Sequence, residues 1–263
     1  MSFQKIKISG YRLKLSDDFP AGFFPDIADT LSFTDGQRSS FVKLPSSKFA
    51  NVFKFNVYFK GRIYNLILKQ YLNRSGLDIL KNLIRPCRAQ RAFEAGQMLK
   101  QHGFSSPDMA AAGRKTFAGV TVRNFLITGE VTDSFPLYKI LETNTSQKQE
   151  IIAQFGQTVG RMHAQNIFHG DLRLGNVLVK KVNDKFEFIF LDNERTRKLK
   201  KLPERLRLKN LVQINMSLND SDKTIFLGAY LAEQNVKINR EELAAQIAAG
   251  VKKRLAAKEI RTV

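Results

Sequence analysis

The stretch His169-Gly170-Asp171-Leu172-Arg173-Leu174-Gly175-Asn176-Val177-Leu178-Val179 constrains this chain more than any other. An aspartate is followed five residues later by an asparagine, and an apolar, β-branched run comes at once after it. A second acidic position, Asp192, closes the next apolar segment, Phe186-Glu187-Phe188-Ile189-Phe190-Leu191. Gly-Asp and Gly-Asn pairs are also ordinary turn chemistry, so His-Gly-Asp alone signals no more than a bend. With Asn176 and Asp192 placed at the edges of two strands, the set is what phosphoryl transfer requires. Asp171 would orient and deprotonate a hydroxyl, and Asn176 and Asp192 would hold a metal ion, Mg2+, against the phosphates of ATP.

The residues upstream are read against that loop. Residues 3–15 alternate around Ser9-Gly10 and predict a hairpin with Lys5, Lys7, Arg12 and Lys14 on its outer face. Turn residues dominate from Ser16 to Gly36, where irregular structure is expected. Strands follow near residues 41–44, 52–59 and 63–70, with Lys60-Gly61-Arg62 as a tight turn. The loop Pro45–Asn51 between the first two is the candidate phosphate loop, with Ser46, Ser47 and Lys48 as contacts, although a plain hairpin connection reads the same way. Lys69, inside an apolar strand, is the candidate for a phosphate-contacting lysine. Lysine stems also lie along sheets with the ammonium in water, and strand position does not separate the two.

Residues 88–101 predict a helix ended by Gly103 and Pro107, and Glu94 is its one carboxylate. Glu94 is the candidate partner of Lys69, but it shares a polar stripe with Gln90, Gln97 and Gln101, which points it to water. Further strands are expected near 109–113 and 120–128. The chain then crosses between lobes, where the main chain of Glu130 and Val131 is the candidate adenine contact. Ser146-Gln147-Lys148-Gln149 has the form of a capping box opening a helix to about Gln165, with Ile151, Ile152, Phe155, Val159 and Met162 on its core face and His163 as a structural histidine.

A net charge of +19, with a pI near 10.1, favours a polyanionic partner: nucleic acid, an anionic lipid surface or an acidic glycan. The run Arg195, Arg197, Lys198, Lys200, Lys201, Arg205, Arg207 and Lys209 places much of that charge just after Asp192. Leu243, Ile247, Val251 and Leu255 recur every four residues in a basic helix over 241–259, which docks on its own domain or rests on anionic membrane. A single cysteine, Cys87, excludes an internal disulfide framework. Met1–Lys7 lacks the apolar core of a signal peptide, and no apolar run is long enough to span a bilayer.

Several segments together resemble a known family. They are Leu68-Lys69-Gln70-Tyr71, Gly103-Phe104-Ser105-Ser106-Pro107, Phe125–Glu130, His169–Leu178, Leu191–Arg195, Arg207–Leu211 and Asp222–Leu231. The chain is similar over residues 40–235 to the bacterial lipopolysaccharide core kinases, distant relatives of protein kinases that phosphorylate heptose or 3-deoxy-octulosonic acid (Kdo). The resemblance implies an α+β, two-lobed protein-kinase-like fold, with a sheet-rich nucleotide-binding lobe over residues 1–130 and a helical catalytic lobe over 131–263. It also implies Asp171 as base, Asn176 and Asp192 as magnesium ligands and Lys69 as the phosphate contact. The acceptor would be a lipid-linked anionic glycan, met in the cytoplasm at the inner face of the inner membrane by peripheral contact; nucleic acid is not the expected partner.

The chain departs from the family at three places. Counted back from Gly103, the helix glutamate falls on Ala92; Asn193-Glu194 replaces Phe-Gly; and Asn210 stands where relatives often have an aspartate that braces the catalytic loop. The catalytic loop by itself is shared with aminoglycoside, choline and protein kinases. A pseudokinase that binds anions is the rival from another class, opposed by the intact Asp171, Asn176 and Asp192. Neither the acceptor hydroxyl nor the oligomeric state is legible in the sequence.

Overall fold

The computed structural model describes residues 3–8, 10–19, 41–72, 85–142, 147–234 and 238–259. The chain divides into two compact units, Met1–Lys100 with Ser106–Thr132, and Gln101–Ser105 with Asp133–Val263. The expected irregular stretch lies, beyond Phe19, outside the described residues, as does Ser146 of the expected capping box.

The first unit is organised by alternation. Its strands are β1 (Phe3–Ile8), β2 (Tyr11–Ser16), β3 (Val42–Leu44), β4 (Ala50–Phe59), β5 (Arg62–Tyr71), β6 (Met109–Phe117) and β7 (Val120–Gly129). Among the described residues they form one antiparallel sheet in the order β1-β2-β6-β7-β5-β4-β3. Side chains two apart share a face. Tyr11, Leu13, Leu15, Leu66, Leu68, Phe125 and Ile127 build one core with Phe55, and Phe41 stacks on Phe55 with ring centroids 4.6 Å apart. The intervening residues Tyr71, Ala112 and Leu126 pack on the other face with Ala89, Ala92 and Phe93 of helix α1 (Arg88–Gln101) and Cys87 just before it. Lys60 and Gly61, at φ 49° and 79°, make the two-residue turn that the right-handed twist of β4 and β5 favours. β6 runs four residues past its expected end, because Arg114–Phe117 pair with β7 while alternating between half-buried and exposed, with three polar residues and an exposed Phe117 that give no core-facing apolar signal.

The second unit consists of β8 (Ser134–Pro136), α2 (Tyr138–Glu142), α3 (Lys148–Ala164), β9 (Ile167–Phe168), β10 (Val177–Val182), β11 (Lys185–Phe190), β12 (Arg197–Lys198), α4 (Glu204–Asn215), α5 (Asp220–Ala232) and α6 (Arg240–Glu259). α3 buries the expected Ile151, Ile152, Phe155, Val159 and Met162. Phe155 meets Phe188 of β11 at 5.3 Å and Phe226 of α5 at 5.7 Å between ring centroids. β10 lies between β11 and β8, and β9 pairs with β12.

α6 docks on its own unit. Leu243 and Ile247 are 6% and 4% exposed, and Gly250 approaches Val212 of α4 so closely that a Cβ there would lie 2.5 Å from its Cγ2. Leu255, one turn beyond, is 44% exposed. No described helix is long and apolar enough to cross a membrane. Ile247→Ala is expected to lower the urea-unfolding free energy by about 2–4 kcal/mol, whereas Leu255→Ala, removing a half-exposed side chain, lowers it by less than about 1 kcal/mol.

Candidate active site

The β10–β11 hairpin brings two of the predicted residues to one end. Its register sets Val177 opposite Phe190, and beyond that pair the Leu191 N–H donates to the Asn176 carbonyl at 2.9 Å. Asn176 and Asp192 therefore emerge together although a full hairpin separates them in sequence. Asp192 is in the left-handed region, φ 53° and ψ 44°, a conformation that costs on the order of 1 kcal/mol for a non-glycine residue. Bonds on both sides hold it there: Asn193 Nδ2 donates to the Phe190 carbonyl at 2.8 Å, and buried His169 meets the Leu191 carbonyl through Nε2 at 3.0 Å.

Asp171 collects three side-chain donors. Gln213 Nε2 donates to Oδ1 at 3.1 Å. Arg173 Nη2 donates to Oδ2 at 2.7 Å, and Asn176 Nδ2 donates to Oδ2 at 3.2 Å and to the Asp171 carbonyl at 2.9 Å. With its nitrogen committed twice, Asn176 has Oδ1 left as its remaining polar atom. The Asp171 N–H donates to His169 Nδ1 at 3.2 Å, which makes Nδ1 the acceptor and Nε2–H the donor to Leu191. Burial pushes the His169 pKa down, against the bond to Leu191 and the charges of Asp171 and Asp192. Gly170 is required by contact: a Cβ there would fall 2.0 Å from the Cβ of Arg195 and 2.9 Å from its carbonyl oxygen.

The loop is braced from α4 by two side-chain amides one turn apart. Asn210, fully buried, accepts the His169 N–H at 3.3 Å through Oδ1 and returns its Nδ2 to the His169 carbonyl and to Gln213 Oε1 at 3.2 Å. Gln213 Oε1 also accepts the Leu172 N–H at 3.3 Å. Behind them, His163 Nε2 contacts Asn210 Oδ1 at 3.2 Å and its Nδ1 contacts the Tyr230 hydroxyl at 3.0 Å. His163 is thus structural, as its sequence position suggests. Gln213 was not anticipated; the signal was its place one helical turn after Asn210, on the same face.

In the first unit, Lys69 lies half-buried on β5, opposite Val52 and Leu126, with its Nζ 5.4 Å from the Tyr71 ring centroid. Glu94 corrects the expectation of an ion pair with Lys69: its carboxylate, 52% exposed, pairs with Lys14 of β2 at 2.9 Å. The helical geometry decides this, because α1 turns Ala89, Ala92, Phe93 and Leu99 into the core and carries Glu94 to the rim. Ala92, on the core side of the same helix, is 1% exposed and packed with Tyr71 and Leu126. Both loop serines build the turn itself. Ser46 Oγ donates to the Ala50 carbonyl at 2.8 Å, and Ser47 Oγ accepts the Phe49 N–H at 3.4 Å. Glu130 binds Lys54 at 2.6 Å through its side chain, and its N–H donates to the Asn65 carbonyl at 2.9 Å; Val131 follows it at the end of this unit.

A braced aspartate, with an amide and a second aspartate delivered by the following hairpin, defines the catalytic half of a kinase-like fold. Residues 45–244 match the profile of the Lipopolysaccharide kinase (Kdo/WaaP) family, and the chain belongs to that family. It is 25% identical over 136 residues to the 3-deoxy-D-manno-octulosonic acid kinase of Haemophilus influenzae (strain PittGG), a match covering 51% of this chain and 53% of the relative. The chain thus spans about half the length of the curated relative it matches. Among solved structures, WaaP in complex with acyl carrier protein is similar with a TM-score of 0.57 and 19% identity, over 80% of this chain and 87% of that one. That likeness shows the two-lobed, kinase-like α+β fold.

Burial lowers the His163 pKa from 6.5 to about 4, against the hydrogen bond to Asn210 Oδ1 and assisted by the nearby charge of Arg207. The folded state therefore favours neutral imidazole. Its contribution is complete above the unfolded pKa near 6.5 and is lost as pH falls toward about 4, since the unfolded chain binds the extra proton first. The unfolding free energy is expected to drop by on the order of 3 kcal/mol over that window from this group. Guanidinium melts of His163→Gln, which has no imidazole to charge, should show a correspondingly shallower dependence.

Proposed function

We propose that this protein transfers the γ-phosphoryl group of ATP to a hydroxyl of a sugar in the lipopolysaccharide inner core. The observation that carries the reading is the carboxylate of Asp171, held by Gln213, Arg173 and Asn176 on a loop fixed to the Asn176–Asp192 end of the hairpin. Family membership supports a lipopolysaccharide-related sugar as acceptor, and the match to a Kdo kinase supports Kdo over heptose.

Asp171 accepts the proton of the acceptor hydroxyl as its oxygen attacks the γ-phosphorus, and ADP leaves from the opposite side. The amides of Gln213 and Asn176 keep the carboxylate from rotating, so its basic oxygen is already placed when the hydroxyl arrives. Arg173, 61% exposed, makes a pair weak enough for a phosphoryl oxygen to compete for its guanidinium. Asn176 Oδ1 and the exposed Asp192 carboxylate fit Mg2+, a hard cation that is held by one or two protein oxygens together with phosphate and water. Among the described residues no cluster of three or more His, Cys, Asp or Glu forms an all-protein cage. Bound there, the ion would neutralise charge on the phosphate oxygens.

Within the first unit, Lys69 is the proposed phosphate contact, and the loop whose turn Ser46 and Ser47 build is the proposed phosphate-facing loop. Glu130 and Val131 are the proposed adenine-binding main chain. The N–H of Glu130 already serves Asn65, so that residue offers its carbonyl. Glu94 has no place in the set. The acceptor is lipid-anchored and anionic, and we place the reaction at the cytoplasmic face of the inner membrane, reached by peripheral contact of a basic surface.

Purified inner-core lipopolysaccharide incubated with ATP, Mg2+ and the protein should gain the mass of one phosphate. Asp171→Ala should lower the rate by at least about 10²-fold, and Glu94→Ala should leave it within about twofold. Equal, negligible turnover by the native chain and Asp171→Ala would sink the proposal.

A further inference from the structure

The fold joins three cations of the basic run after Asp192 to one from the C-terminal helix on one flank of the Asp171 loop. Arg197 of β12 stands opposite Phe168 of β9 in the strand register, with its Cζ 6.0 Å from the Phe168 ring centroid. Lys209 of α4 places its Nζ 5.4 Å from the same centroid. Phe168 is 4% exposed and lies three residues before Asp171. Arg195 is packed against Gly170, the residue preceding Asp171, closely enough that no Cβ fits between them. Arg254 arrives from the far end of the chain through the docking of α6. Gly250 lies on Val212, and Arg254 and Lys209 each stand one turn from that contact.

The electrostatics of Lys209 show the cluster as a unit. Partial burial lowers its pKa first, then the charges of Arg195 and Arg254, with Arg197 adding to them; Asp171 is the carboxylate that opposes the shift. Arg195 also has Glu194 at 3.9 Å, a distant pair that leaves most of the cluster's charge uncompensated. Like charges gathered on a surface repel one another, and a bound anion relieves the repulsion of all four at once. Arg195, Arg197 and Lys209 also belong to the basic run seen in the sequence, whereas Arg254 enters only through the packing of α6 on α4.

We propose that Arg195, Arg197, Lys209 and Arg254 seat an anionic group, phosphate or carboxylate, carried by the acceptor glycan beside the hydroxyl that Asp171 activates. This rests on the phosphotransferase reading. The seat selects acceptors by charge: guanidiniums take an oxyanion by paired N–H donors, Lys209 adds a point charge, and Phe168 holds Arg197 and Lys209 in place by cation–π contact. Anchoring one end of the acceptor in this way orients its hydroxyl without touching the reacting atoms.

The test compares the native protein with Lys209→Ala/Arg254→Ala and, separately, Arg197→Ala, each checked for an unchanged thermal midpoint. The probe is deacylated inner-core oligosaccharide, used intact, after phosphatase treatment and after carboxyl reduction. Calorimetric binding without ATP and steady-state phosphorylation are both measured. The double variant should bind intact oligosaccharide at least about tenfold more weakly and raise its KM by a similar factor, with kcat and the KM for ATP within about threefold. Lys209→Arg should restore binding. Loss of the difference between native and variant protein on phosphatase treatment assigns the seat to phosphate, and its loss on carboxyl reduction assigns it to carboxylate. Equal binding of intact oligosaccharide by native and variant proteins overturns the seat. Weakened binding in the variant, with no turnover by the native protein, keeps the seat and overturns the phosphotransferase reading instead.

Discussion

Two side-chain amides on α4, Asn210 and Gln213, hold the loop that carries Asp171 to the rest of its unit. Between them they satisfy the N–H and carbonyl of His169 and the N–H of Leu172, and reach one oxygen of Asp171. Backbone groups buried in such a loop cost roughly 1–3 kcal/mol each if left unpaired, so the brace decides both whether the loop forms and where its carboxylate points. The brace is uncharged. Burial keeps His163 neutral behind it, so the brace adds no charge to the Asp171–Arg173 pair of the loop. A buried carboxylate at Asn210 would lie against His163 and favour its protonated form; the amide avoids that competition.

The loop itself was legible because its chemistry and its spacing coincide. Asn176 and Asp192 flank the β10–β11 hairpin, and its register turns their linear spacing into a shared location. The sheet cores were legible in the alternation of β2, β5 and β7. Glu94 was harder, since a helix offers several faces and only packing selects one. The polar stripe points Glu94 outward, where Lys14 from a strand far upstream is its partner, but Gln97 of the same stripe is buried, so the stripe does not face water as a whole. Gln213 and Arg254 were not singled out as site residues. Neither belongs to a motif; each matters through the helix–helix contact or helix–loop contact that carries it.

Charge is used in two distinct ways in the second unit. At Asp171, a single carboxylate is surrounded by donors and held in a fixed orientation. At Phe168, cations are brought together around an aromatic ring with little to neutralise them. The first arrangement suits a group that must hold its position through a reaction, and the second suits a surface waiting for an anion. α6 contributes to the latter because its apolar face docks on α4, which fixes the side of the unit on which Arg254 emerges.

In the proposed reaction Gln213 acts through Asp171, whose carboxylate it aims. This role is tested most directly by the steady-state constants of Gln213→Leu on inner-core acceptor, with folding verified by the thermal midpoint. Loss of the aiming bond should lower kcat by roughly 10–100-fold and leave the KM for ATP near its native value. An unchanged kcat in a folded variant would contradict that role.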